Sequence, residues 1–146
     1  MKNSVLCYLE ETAERLPDKV AFFDAEGEIT FEQLRKNAVD IAFAIQEKVG
    51  GRRNPILTYI PKSVKNITAF MGILYSGNFY TPTEVRFPEE KVRSIVETLH
   101  PAAILVDTKS KSIIRIDGSK KAKPTHKEMV LYLIKKYPSA KTIAAR

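Results

Sequence analysis

LYSGNFYTPTEVRFPEEKV, residues 74–92, sets the plan of the chain. Gly77 follows an apolar helical run, Phe79 and Tyr80 lead into Pro82, and Pro88 opens a second helical pattern with Glu89 and Glu90 at its start. Glycine accepts the left-handed conformation found just past helix ends. Proline suits the first turn of a helix, where its missing N–H would have no partner anyway, and acids there favour the positive end of the helix dipole. The stretch predicts helix, strand, helix. The aromatics fill the sheet, and Pro82 marks a strand end that needs no ladder bond.

The alternation extends both ways. Upstream, Val5, Leu9, Ala13 and Leu16 fall on one helical face, ended by Pro17-Asp18. KVAFFD reads as a strand, AEGE as a tight turn and ITF as the returning strand. Thr30 caps the next helix, with Gln33 completing a capping box. Leu34, Ala38, Ile41, Ala42, Ile45 and Val49 then repeat with a helical period until Gly50-Gly51. NPILTYI is a buried strand, and Ser63 caps a helix through Val64, Ile67, Met71 and Leu74. Downstream, Val92, Ile95, Val96 and Leu99 form the inner face of the helix after Pro88, and AAILVD is a short apolar strand. Strands alternating with helices imply an α/β fold, a parallel-rich sheet flanked by helices, over residues 1–107. Residues 108–146 form a separate basic α-helical tail, with SIIRID as a candidate strand and THKEMVLYLIKKY as a helix.

Composition narrows the function classes. At 146 residues with 44% hydrophobic residues, the chain can bury a core of its own. The formal net charge of +7 is uneven: residues 108–146 hold eleven Lys/Arg against two acids, and the rest holds thirteen against fifteen. Basicity belongs to the tail, so nucleic acid is not the expected partner. No apolar run is long enough to span a membrane, and the opening MKNSVLCYLEETAERL lacks the apolar core of a signal peptide. The single cysteine, Cys7, gives no disulfide and fits a reducing cytoplasm. His100, before Pro101, reads as a helix C-terminal charge and not as a catalyst. His126 lies too far from it to suggest a metal site, so none is expected. Tyr59, Phe79 and Tyr80 read as core.

The run PDKVAFFDAEGEITFEQL resembles the opening of the adenylate-forming enzymes: acyl-CoA synthetases, luciferases and the amino-acid adenylation domains of peptide synthetases. Pro17, Asp18, Lys19, Val20 and Ala21 fit the first part of that opening. Ile29, Thr30, Phe31, Gln33 and Leu34 fit the second. Residues 74–92 resemble the family's L-K-A-G-x-A-Y-V-P-L-D…P-x-E-R-I motif through Leu74, Gly77, Tyr80, Pro82 and Pro88. Thr83 and Glu84 depart from it, standing where an apolar residue and an aspartate are usual. The resemblance is closest to the amino-acid adenylating branch that includes D-alanine–carrier-protein ligases.

It implies ATP- and Mg-dependent activation of a carboxylate as an acyl adenylate, followed by transfer to a thiol. The motifs matched here serve that family as scaffold, so no catalytic residue is carried over. The family's S-G-T-T-G-x-P-K-G phosphate loop has one candidate remnant, DGSKKAKPTH, with Gly118, Ser119 and Lys123 as nucleotide-binding candidates. Lys120 and Lys121 stand where small or hydroxyl residues belong, and the second glycine is absent. No cofactor is therefore expected for this chain alone. The expected partners are the remaining part of a ligase, a carrier protein or a second copy. The alternative is a non-catalytic interaction module whose basic tail binds an acidic partner.

Overall fold

Capping chemistry places most element boundaries. The computed structural model describes residues 4–107 and 141–144, with only the Ile143 side chain in the latter segment. In chain order these residues form α1 (Val5–Arg15), β1 (Val20–Asp24), β2 (Gly27–Thr30), α2 (Phe31–Lys48), β3 (Pro55–Tyr59) and α3 (Val64–Tyr75). There follow β4 (Phe79–Pro82), α4 (Glu89–Leu99), β5 (Ala103–Val106) and β6 (Lys141–Ala144). Thr30 closes the expected capping box: its Oγ1 accepts from Gln33 N at 3.2 Å, and Thr30 N donates to Gln33 Oε1 at 3.0 Å. Ser63 Oγ accepts from Asn66 N in the same manner at the start of α3. Gly50, Gly51 and Gly77 all have φ near +70°, the conformation that ends α2 and α3.

The main sheet is parallel throughout, with strand order β4-β3-β5-β6. Helices cover both of its faces. On one side α2 and α3 bury Ile41, Ile45, Ala69 and Ile73 against Ile56, Ile60, Ala103, Leu105 and Ile143. On the other, Val92 and Val96 of α4 pack on Leu57, Tyr59, Ile104 and Val106. A smaller core of Leu9, Ile29 and Leu34 joins α1, the hairpin and α2. It is tied off by Arg35, which bonds Glu32 at 2.7 Å and Glu10 at 3.2 Å, while the Tyr75 hydroxyl donates to the other Glu10 oxygen.

Four expectations change. The hairpin read at 20–30 forms, with β1 antiparallel to β2, but it makes a two-stranded sheet of its own instead of joining the parallel one. Phe79 and Tyr80 are not core; they are 46% and 36% exposed, since β4 is an edge strand. Tyr80 stacks on Phe70 of α3 with ring centroids 4.2 Å apart. The buried face of α3 is Thr68, Ala69, Gly72 and Ile73, and not the larger Ile67 and Leu74, because small residues let α2 approach. Val5 and Leu16 are about half-exposed, leaving Leu9 and Ala13 as the buried residues of α1. One element was not anticipated: β6 adds to β5 in parallel register, Ala103 opposite Lys141. The basic α-helical tail was expected over residues 108–146; apart from β6 it lies outside the described residues, and so does the strand at SIIRID.

Candidate functional site

In an open α/β sheet, ligands sit outside the carboxyl ends of the strands, where strand order reverses. Here α3 carries the chain from β3 to β4 over one face. The helix α4 then carries it from β4 past β3 to β5 over the other. The reversal lies between the carboxyl ends of β3 and β5, beside the N-terminus of α3.

Side chains of the protein fill that position. The Asp24 carboxylate, at the end of β1, accepts from Val64 N at 2.8 Å, the first N–H of α3. Its other oxygen accepts from Glu26 N at 2.8 Å and Gly27 N at 3.1 Å, so the same group shapes the hairpin turn. The Val64 N–H, then those of Glu26 and Gly27, with Lys65 nearby, hold the Asp24 carboxyl below the ordinary range. Asp24 thus occupies the anion seat that a helix N-terminus offers. Asp107, buried just past β5, receives Lys65 Nζ at 3.2 Å, and Lys65 also lies 3.9 Å from Glu26. On the α4 side, the Tyr59 hydroxyl donates to Val85 O at 3.3 Å. Burial pushes the Tyr59 phenol up to about 12, with the charge of Glu84 adding to the effect. Among the described residues, no group of three or more His, Cys, Asp or Glu is placed to hold a metal ion. The cluster joins the hairpin, α3 and β5 by charge.

The residues singled out from the sequence are joints. Thr30 and Gln33 cap α2, Leu34 is buried against Leu9 and Ile29, and Phe31 packs at the margin of that core. Gly77 turns the chain after α3, and its carbonyl accepts from Arg53 N at 2.9 Å. Tyr80 stacks on Phe70, and Pro82 ends β4. Pro88 stands at the N-cap of α4, one position before the expected first turn, with Glu89 and Glu90 following. His100 is the C-cap of α4 at φ 50°. Gly118, Ser119 and Lys123 lie outside the described residues. Sequence reading missed Asp24, Lys65 and Asp107. The available signal was positional: Asp24 ends a strand of the hairpin, Asp107 follows β5, and Lys65 lies in the first turn of α3.

Comparison with known proteins agrees with this fold. The family model described as AMP-binding enzyme matches residues 9–145. Bacitracin synthase 2 of Bacillus licheniformis is 30% identical over 119 residues, covering 80% of this chain and 4% of that protein. The D-alanine–D-alanyl carrier protein ligase of Bacillus thuringiensis is 29% identical over 125 residues, covering 82% of this chain and 25% of that one. Among solved structures, a benzoate CoA ligase from Burkholderia xenovorans superposes with a TM-score of 0.71 at 19% identity. That match covers 94% of this chain and 24% of the ligase. The chain spans a quarter or less of each of these relatives.

Proposed function

The chain belongs to the AMP-binding enzyme family, and on that premise we propose that it supplies the N-terminal scaffold of an adenylate-forming ligase. Such a ligase activates a carboxylic or amino acid with ATP and Mg as an acyl adenylate and passes the acyl group to a thiol. The bacitracin synthase and D-alanyl carrier protein ligase relatives favour an amino acid as the substrate and a carrier protein as the acceptor. Residues 9–107 hold three strands of the sheet in this reading, and β6 completes it. The phosphate contacts come from elsewhere, with Gly118, Ser119 and Lys123 the only candidates within this sequence. Localisation in the cytoplasm accords with one cysteine and with the lack, among the described residues, of a helix long and apolar enough to cross a membrane.

One observation carries the scaffold assignment. At the place where this fold would take a ligand, Asp24 of β1 already accepts from the first N–H of α3, and Lys65 is paired with Asp107. Isothermal calorimetry of the purified chain with ATP and MgCl2 tests it. The expected result is no saturable heat at millimolar nucleotide. Saturable binding abolished by Lys123→Ala would show that the loop at 118–123 works and would overturn the assignment. A role as a basic interaction module gains no support, since the family match continues through residues 108–145.

A further inference from the structure

Thr58 in β3 is 1% exposed, and its Oγ1 meets no protein partner. Asn66 Oδ1, in the first turn of α3, is equally shut from solvent and equally without a partner. Both belong to the same layer. Thr58 lies between Ile56 and Ile60 on the strand, and Asn66 shares a helix face with Ala69 and Ile73; those four apolar residues form one cluster.

Their heights along the layer also agree. Ile73 O accepts from Asn78 N, and Asn78 Oδ1 accepts from Asn54 N, so the Ile73 turn of α3 stands at the start of β3. Going back seven residues to Asn66 spans about 10.5 Å of helix. Going forward four residues from Asn54 to Thr58 spans about 13 Å of strand. On ideal rises the hydroxyl and the amide oxygen therefore come to similar heights in the layer between α3 and the sheet. Thr83 Oγ1 is the third such atom. Strand alternation from Tyr80 directs it to the opposite face, so it does not join the pair.

We propose that one ordered water bridges Thr58 and Asn66. It accepts from the Thr58 hydroxyl and donates to Asn66 Oδ1. Folded proteins carry about one buried water per 27 residues, each typically bonded to two to four polar groups that would otherwise go unpaired. The bridge fastens β3 to the first turn of α3. It thereby steadies the connection at residues 60–63, whose end presents the Val64 N–H to Asp24.

Two measurements on the intact chain decide the matter. A crystal structure at high resolution should show a solvent peak within about 3 Å of both atoms. Thr58→Val keeps the shape and removes the hydroxyl. With the bridge present, its thermal midpoint falls by a few degrees, and Thr58→Val combined with Asn66→Ala costs less than the two single changes added. A rise in the midpoint of Thr58→Val, or additive losses, would mean that the hydroxyl is merely buried and unpaired. Should that variant fail to fold, a wild-type density map lacking the peak overturns the proposal by itself.

Discussion

Gly72 is the position where one methyl group should do most harm. It lies inside α3, where alanine in place of glycine would ordinarily gain about 1 kcal/mol of helix propensity. A Cβ built there would stand 2.5 Å from Ile41 Cγ2, 2.7 Å from Ile41 Cβ and 2.9 Å from Ala38 O. Carbon atoms in contact prefer about 3.5–4.0 Å, so roughly 1 Å must be found. Rotating Ile41 does not supply it: a β-branched side chain in a helix has essentially one rotamer, and its Cβ does not move with χ1. Ala38 O is backbone. Relief requires α3 to back away from α2, loosening Ile45, Ala69 and Ile73 together. Overpacking of this kind costs about 1–3 kcal/mol, occasionally more, which outweighs the propensity gain at all but the lower end. Gly72→Ala should therefore lose about 1 kcal/mol net, within a range of about 0–2, at about 2–4 °C in thermal midpoint per kcal/mol for a chain of this size. Urea unfolding followed by circular dichroism measures it. Increased stability would refute the reasoning, by showing that the α2–α3 contact opens at no cost.

Other sites give independent checks. Tyr59 has its folded pKa raised to about 12 from an unfolded value of 10.0. Its contribution is complete below pH 10 and fades as pH climbs toward 12, by on the order of 2 kcal/mol. Tyr59→Phe should flatten that alkaline slope while losing about 1 kcal/mol at neutral pH, both read from urea midpoints at pH 8 and 11.5. For Asp24 the sign is reversed. Its pKa is lowered from 3.8, so its contribution is present above that value and is lost as acid drives the pH below it. Asp24→Ala should speed hydrogen exchange at the Glu26, Gly27 and Val64 amides relative to the centre of the sheet; unaltered exchange at all three would count against the seat described above. Thr30→Ala removes the capping box and should lower stability by about 1 kcal/mol, with Thr30→Ser restoring most of it in the same thermal assay.

Much of the fold was legible because local rules dictated it. The capping box at Thr30, the glycine stops at 50, 51 and 77, and the apolar period of α2 each need only neighbours within a few residues. What escaped depends on partners distant in sequence. The inward face of α3 is chosen by how closely α2 can lie, so Gly72 and Ala69 outrank larger residues that periodicity favours. Exposure of Phe79 and Tyr80 follows from strand order, which their own sequence does not encode. The candidate site was least visible. Asp24, Lys65 and Asp107 are separated by about forty residues at each step and meet only once β3 and β5 lie side by side. The aspartate in KVAFFD looks like any turn residue until the start of α3 is placed beside it.

The register of the sheet also sets an order of assembly. Each parallel ladder joins positions far apart: Pro55 meets Phe79, Ile56 meets Ala103, and Ala103 meets Lys141. A ribosome adds roughly 5–20 residues per second, so β5 emerges some 2–8 seconds before the strand that will lie against it. During that interval one side of β5 has bare amides and carbonyls, with the apolar run Ala103–Val106 behind them. A nascent chain paused between residues 107 and 141 would therefore be the form most open to strand addition by a neighbour on the same messenger. Codon choice along that stretch should affect the yield of folded protein more than it would anywhere in the hairpin.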